Sequence, residues 1–162
     1  MERYHRNVTV ITQNIDGLHH RAGSTIIHEL HGNINRNYCT GCGKYYSNKE
    51  ILKQEHAPRC VSCNGYVRPD VVWFGEMLPE DVWNASVGAA EHAEIFFVVG
   101  TSAVVYPAAS LPMIARRAGA YVVEINTEPT ELSVRVDESH LGKAGELLPH
   151  LLASCHKKEI KQ

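Results

Sequence analysis

The sequence contains no apolar run long enough to cross a bilayer. Its longest, Ile95–Val99, has five residues, against the roughly 20 that a spanning helix needs. It also lacks an excess of either charge. Sixteen Lys and Arg against eighteen Asp and Glu leave a net charge of −2, so no global field draws the chain to nucleic acid or to an anionic membrane. No stretch near the cysteines interleaves basic and aromatic residues as a nucleic-acid surface would. No signal-peptide pattern precedes Val8, and the reading is of a cytoplasmic protein. Repeats and low-complexity tracts are absent. What remains, 162 residues that are 44% hydrophobic, suffices for one globular core.

Cysteine is scarce, and four of the five cysteines fall in two pairs, Cys39-x2-Cys42 and Cys60-x2-Cys63, separated by seventeen residues. Two such knuckles predict a single tetrahedral Zn2+ site. Glycines at Gly41, Gly43 and Gly65 let backbone N–H groups turn toward sulfur. Two disulfides are the competing pairing, disfavoured by the cytoplasmic reading. Four thiolates leave the metal no open position, so the site holds structure and chemistry must lie elsewhere. The fifth, Cys155, reads as a buried structural thiol, and the basic stretch from His156 to Lys161 as a solvated end.

The rest of the chain alternates strand and helix. Val8–Thr12 is a β-branched strand running into the polar segment Gln13-Asn14-Ile15-Asp16-Gly17. Ile26–Leu30 is a second short apolar run. Composition then turns polar over 35–69, the zinc module. Val71–Phe74 reads as a strand, Leu78–Asp81 opens a helix to about His92, and Ile95–Val99 is a continuous apolar strand. A helix from Pro107 to Arg117 closed by Gly119 follows, then a strand at Tyr121–Ile125 and a last helix around Glu146–Ser154 with Pro149 in its first turn. Apolar strands joined by crossover helices predict an α/β fold: a Rossmann-like parallel sheet, with helices on both faces, into which a zinc ribbon is inserted. The expected division is 1–34 with 70–155 as the Rossmann-like part, 35–69 as the zinc module and 156–162 as a tail.

Open parallel sheets bind ligands beyond the carboxyl ends of their strands. Gly100-Thr101-Ser102 offers close backbone approach and two hydroxyls for phosphate or ribose, although the same residues suit an ordinary helix entry. Asn126-Thr127-Glu128 could take the hydroxyls of an adenosine ribose, or form a plain turn. Gln13-Asn14-Ile15-Asp16 gathers two amides and a carboxylate able to read a carboxamide and ribose hydroxyls together. His31, beside Gly32, is a candidate proton acceptor among ten histidines, any of which could equally be surface or packing residues.

Taken in order, Ile11-Thr-Gln-Asn-Ile-Asp-Gly-Leu-His19, Glu29-Leu-His-Gly32, the two cysteine pairs, Arg68-Pro-Asp-Val-Val-Trp-Phe-Gly-Glu76, Gly100-Thr-Ser102 and Ile125-Asn-Thr-Glu128 resemble a sirtuin from about Val8 to Leu152. Within that family, Phe74–Pro79 and Val104–Ala109 are most similar to the bacterial, archaeal and desuccinylase-like enzymes. The resemblance implies an NAD-dependent protein lysine deacylase that yields free lysine, nicotinamide and O-acyl-ADP-ribose, with acyl-lysine proteins or peptides as substrates. His31 would be the general base acting on a ribose hydroxyl. Asn14 and Asp16 would line the nicotinamide pocket with Ile15 between them, Asp16 on the carboxamide, and Gln13 would address the ribose. Gly100, Thr101 and Ser102 would approach the phosphates and adenosine ribose, with Asn126, Thr127 and Glu128 close by and Ala144 near the adenine. Val71, Val72, Phe74, Gly75 and Glu76 resemble the strand that pairs with the substrate peptide by β-augmentation, Val72 and Phe74 shaping the channel for the lysine stem.

The chain departs from the family pattern at its start. A sirtuin begins with a strand and a Gly-Ala-Gly loop that this sequence does not contain. The expectation is therefore a shortened form with weakened NAD binding. The alternative is a zinc-stabilised module that binds peptides or partners without turnover.

Overall fold

The computed structural model describes Glu2, residues 7–53 and residues 56–159, apart from the side chains of 154–159. The basic tail reading and the environment of Cys155 lie outside the described side chains. The chain forms two units, one gathering Asn7–Trp83 and the other built on the stretch from Asn84 onward.

In the first unit, β1 (Val10–Thr12) pairs in parallel with β2 (Ile27–Glu29), Val10 opposite Ile27 and Thr12 opposite Glu29. The chain between them contains α1 (Leu18–Arg21), entered through Gly17 at φ 69°. The Asp16 carboxylate accepts the Leu18 N–H at 2.9 Å and so satisfies one of the free donors at the helix start. Beyond β2 the chain builds an antiparallel sheet in the order β4 (Tyr45–Ser47), β3 (Gly32–Cys39), β5 (Val67–Val71). A short helix, α2 (Asn48–Ile51), follows β4; the Ser47 N–H and hydroxyl both donate to Glu50 at 2.7 Å. The core of this sheet is Cys39, Tyr46, Cys60 and Val67, with Ile51 packed against it.

The expected strand at Val71–Phe74 is corrected. β5 ends at Val71, and Trp73–Glu76 is a turn closed by the Glu76 N–H on the Trp73 carbonyl at 2.9 Å. Gly75 at φ 89° permits that turn. The Glu76 carboxylate fastens it by accepting the Trp73 N–H at 2.9 Å.

The second unit is a parallel sheet in the order β6 (Ile95–Val99), β7 (Tyr121–Asn126), β8 (Glu138–Leu141). The unit boundary falls within α3 (Glu80–Glu91). A 3-10 turn at Ala108–Ser110 leads into α4 (Leu111–Ala118), which Gly119 ends at φ 106° with its N–H on the Arg116 carbonyl. α4 packs on β6 and β7, and α5 (Ala144–Glu159) on β7. Four consecutive residues of β7, Val122–Ile125, are buried, as in a parallel strand covered on both faces, and Glu124 is the one charged residue among them. Val98, Val122 and Leu132 form the core with Phe96, Ala103, Met113 and Val136 around them.

The parallel architecture thus stands as two sheets, and among the described residues β1 and β6 each pair along one edge alone. Pro149 lies well inside α5 and not in its first turn. The helix begins at Ala144 because the Lys143 carbonyl already accepts the N–H groups of Glu146 and Leu147. No helix of the described residues is long and apolar enough to cross a membrane.

Candidate functional site

His31 follows directly from the carboxyl end of β2, after Leu30, which is 1% exposed and bonded through its N–H to the Thr12 carbonyl at 3.0 Å. Its ring Nδ1 lies 3.1 Å from the carbonyl oxygen of Gln13. A carbonyl can only accept, so Nδ1 carries a proton, and in the neutral ring Nε2 is the nitrogen with the lone pair. On the backbone side the His31 carbonyl accepts the Val72 N–H at 3.0 Å. One residue therefore touches both the 13–17 loop and the exit of β5. Gly32 explains why glycine follows: it adopts φ 77°, and a Cβ there would stand 2.1 Å from the Asp70 carbonyl oxygen. No other residue fits that approach.

The 13–17 loop is held by its backbone. The Asn14 N–H donates to Thr12 Oγ1 at 3.1 Å, and the Ile15 carbonyl accepts the Ile34 N–H at 2.9 Å. Asn14 and Asp16 are exposed, and Gln13 and Ile15 half-buried. One Asp16 oxygen is committed to the Leu18 N–H.

At the exit of β5, Arg68 spans the turn. Its guanidinium donates to both Glu76 oxygens at 2.6 and 3.0 Å and to the Val71 carbonyl at 2.9 Å, and it lies 4.3 Å from the centre of the Trp73 ring. The bond from Arg68, followed by that from the Trp73 N–H, pulls the Glu76 carboxyl down to about 2. Glu76 is thereby engaged in shaping the loop, and Phe74 stands fully in solvent. Sequence reasoning missed Arg68, although a basic residue eight positions before Glu76 in a strand-and-turn segment is a detectable signal.

The four cysteines come together as the spacing predicts, their sulfur atoms all within 4.8 Å of one another. The Cys39–Cys63 and Cys42–Cys60 sulfurs are 3.4 and 3.5 Å apart, too far for disulfides at about 2.05 Å. They are instead close to the spacing of a tetrahedral zinc shell with bonds of about 2.3 Å. The donor set fits the metal. The Gly41 and Ser62 N–H groups point at Cys39 and Cys60 sulfurs at 3.3 and 3.4 Å, and the Tyr46 hydroxyl donates to Cys60 at 3.1 Å. That hydroxyl draws the Cys60 thiol down to about 5, favouring the thiolate. A Cβ on Gly65 would stand 3.0 Å from the Cys39 sulfur, a tight approach that a larger residue could take only if that sulfur shifted.

In the second unit the predicted residues meet at the carboxyl ends of the three parallel strands. Gly100, at φ 61°, donates its N–H to the Ile125 carbonyl at 2.9 Å. The Asn126 side chain donates to the Thr101 carbonyl at 2.8 Å, tying the loop after β6 to the end of β7. The Gly142 N–H reaches the Asn126 carbonyl at 2.8 Å, which sets the start of α5 and Ala144 beside them. Ser102, Thr127 and Glu128 are exposed at this end. Below the loop, Glu124 is 1% exposed and accepts the hydroxyls of Thr130, Ser133 and Ser139. Burial pushes its carboxyl up, but these three donors outweigh that and hold it below the usual range.

The Sir2 family model matches residues 1–107. The chain is 50% identical over 149 residues to NAD-dependent protein deacylase 2 of Pyrobaculum aerophilum, spanning 92% of this chain and 59% of that protein. It is 47% identical over 152 residues to the NAD-dependent protein deacylase of Mycobacterium tuberculosis, spanning 91% of this chain and 64% of the relative. The chain thus spans about six tenths of the length of these relatives. Among solved structures it is similar to a Sir2 protein with a p53 peptide and NAD+, at a TM-score of 0.89 and 37% identity, covering 96% of this chain and 66% of that one. Fold, motif order and family match agree, and the chain belongs to the Sir2 family.

Proposed function

We propose that the chain acts as an NAD-dependent protein lysine deacylase, with His31 as general base. The observation that carries this reading is the double attachment of His31: Nδ1–H on the Gln13 carbonyl and the His31 carbonyl on the Val72 N–H. The first bond favours the neutral tautomer whose Nε2 can take a proton, and the second ties the His31 backbone to the exit of an edge strand. β5 is the outer strand of its sheet, so an acyl-lysine peptide can extend it through main-chain bonds. Val71, Val72, Phe74, Gly75 and Glu76 belong to that docking segment.

NAD, when bound, supplies the ribose carbon from which nicotinamide departs and the hydroxyl that receives the acyl group. Asn14 and Asp16, with Ile15, would line the nicotinamide pocket, and Gln13 would meet the ribose. Gly100, Thr101 and Ser102 would approach the phosphates, with Asn126, Thr127 and Glu128 on the adenosine ribose and Ala144 near the adenine. The thiolate zinc site suits a reducing compartment, and we assign the chain to the cytoplasm. Incubating it with NAD and acetyl- or succinyl-lysine peptides tests the reading. Nicotinamide release that requires the acyl-peptide is expected, and its absence with both peptides overturns the assignment.

A further inference from the structure

The pairing of β3 with β5 sets Asn33 opposite Asp70 and Asn37 opposite Pro69. Three residues of β3, Ile34, Asn35 and Arg36, therefore stand against a single step of β5. Such a bulge interrupts the ladder and re-aims the residues it carries. Here each of the three is engaged. Ile34 donates its N–H to the Ile15 carbonyl at 2.9 Å. The Asn35 side chain donates to the Asp16 carbonyl at 3.2 Å. Arg36 donates to Glu29 Oε2 at 2.8 Å and to Asp70 Oδ2 at 2.9 Å.

The partners lie close along the chain to His31 and to the two groups it bonds, Gln13 and Val72. Glu29, 8% exposed, ends β2 two residues before His31. Its other oxygen accepts the Asn33 side chain at 2.6 Å and lies 3.4 Å from His20 Nε2. Asp70 lies two residues before Val72, whose N–H holds the His31 carbonyl. Asn33 Oδ1 in turn accepts the Asn35 N–H at 2.9 Å, linking the two sides of the bulge. A single guanidinium thus ties the end of β2 to the exit of β5, while the two residues before it, Ile34 and Asn35, hold the 13–17 loop.

We propose that the Ile34–Arg36 bulge is a positioning device for the reaction. It fixes the 13–17 loop and the exit of β5 in one register about His31, and Arg36 is its positioning residue. A planar fork bridging two carboxylates is geometry that lysine cannot reproduce. The enzymatic consequence rests on the deacylase reading, but the mechanical coupling does not.

Arg36→Gln, Arg36→Lys and Asp70→Asn in the full chain separate the two. Amide hydrogen exchange at Ile34 and at Val72 should speed up together in Arg36→Gln, with Val123 in the other unit unchanged. Asp70→Asn should release Val72, and Arg36→Lys should fall between wild type and Arg36→Gln. Turnover should show a roughly ten- to hundredfold loss in kcat/KM for the acyl-peptide, partly recovered in Arg36→Lys. Faster exchange at only one of the two amides, or unchanged exchange and kinetics with a lowered unfolding midpoint, overturns the proposal and leaves Arg36 a stability residue. If the unmodified chain turns over no acyl-peptide, the deacylase reading falls while the exchange measurement still decides the coupling.

Discussion

Gly32 carries the tightest steric constraint beside the proposed base. An L side chain at φ 77° costs about 1–2 kcal/mol from backbone conformation alone, and the 2.1 Å approach of the Asp70 carbonyl adds to it. Gly32→Ala is therefore expected to lower the urea midpoint sharply and to separate β3 from β5. Glu76 gives a pH signature. Its folded pKa of about 2 lies below the unfolded value of about 4.3. Its contribution is thus fully present only above about pH 5 and is lost as the pH falls from there through about 2. Because Arg68 and Trp73 share that carboxylate, an acid titration followed by tryptophan fluorescence should show a step in this range that Glu76→Gln removes. At this scale the sequence was informative wherever spacing mattered: the four cysteines and Glu29-Leu-His-Gly32 are readable as patterns. Arg36 is not, since a lone arginine among asparagines has no spacing to mark it, and its role arises only from the bulge.

Among the elements, the antiparallel sheet of β3, β4 and β5 depends on its metal loop. Cys39 and Cys60 are both buried in its small core, so ligand loss and core loss coincide. Chelation of zinc, or Cys60→Ala, should melt this sheet, since the metal's binding free energy is part of its folding free energy. Circular dichroism and zinc content measured together would check this; full stability without metal would refute it. In the other unit Glu124→Ala should cost about 1–3 kcal/mol, leaving three hydroxyls without their acceptor. It should also loosen the stretch from Thr127 to Asp137 and so weaken ADP-ribose binding by calorimetry. β6 was legible as an unbroken apolar run, and β7 because Tyr121–Val123 and Ile125 stay β-branched or aromatic around the single buried Glu124. β8 was not, because among the described residues it pairs with β7 alone and its Glu138, Ser139 and His140 give no apolar signal. β5 was expected too late, at Val71–Phe74, because those residues are β-branched and aromatic, whereas Val67–Val71 contains Arg68, Pro69 and Asp70, and Gly75 with the Arg68–Glu76 pair turns the chain beyond Val71.

Over the whole molecule, the residues proposed to bind NAD are distributed over both units. His31 and the 13–17 loop are in one; Gly100, Asn126 and the start of α5 are in the other. The order of motifs along the sequence was enough to indicate the family, whereas the split of the parallel strands into a pair and a triplet was not visible in any local pattern. The central claim is that the lone pair on His31 Nε2 does the chemistry. The most direct test is mass spectrometry of O-acyl-ADP-ribose formed from NAD and an acetyl-lysine peptide by the unmodified chain and by His31→Ala, with zinc content and unfolding midpoint matched. The account predicts product from the former and none from the latter. Equal product from both would contradict it.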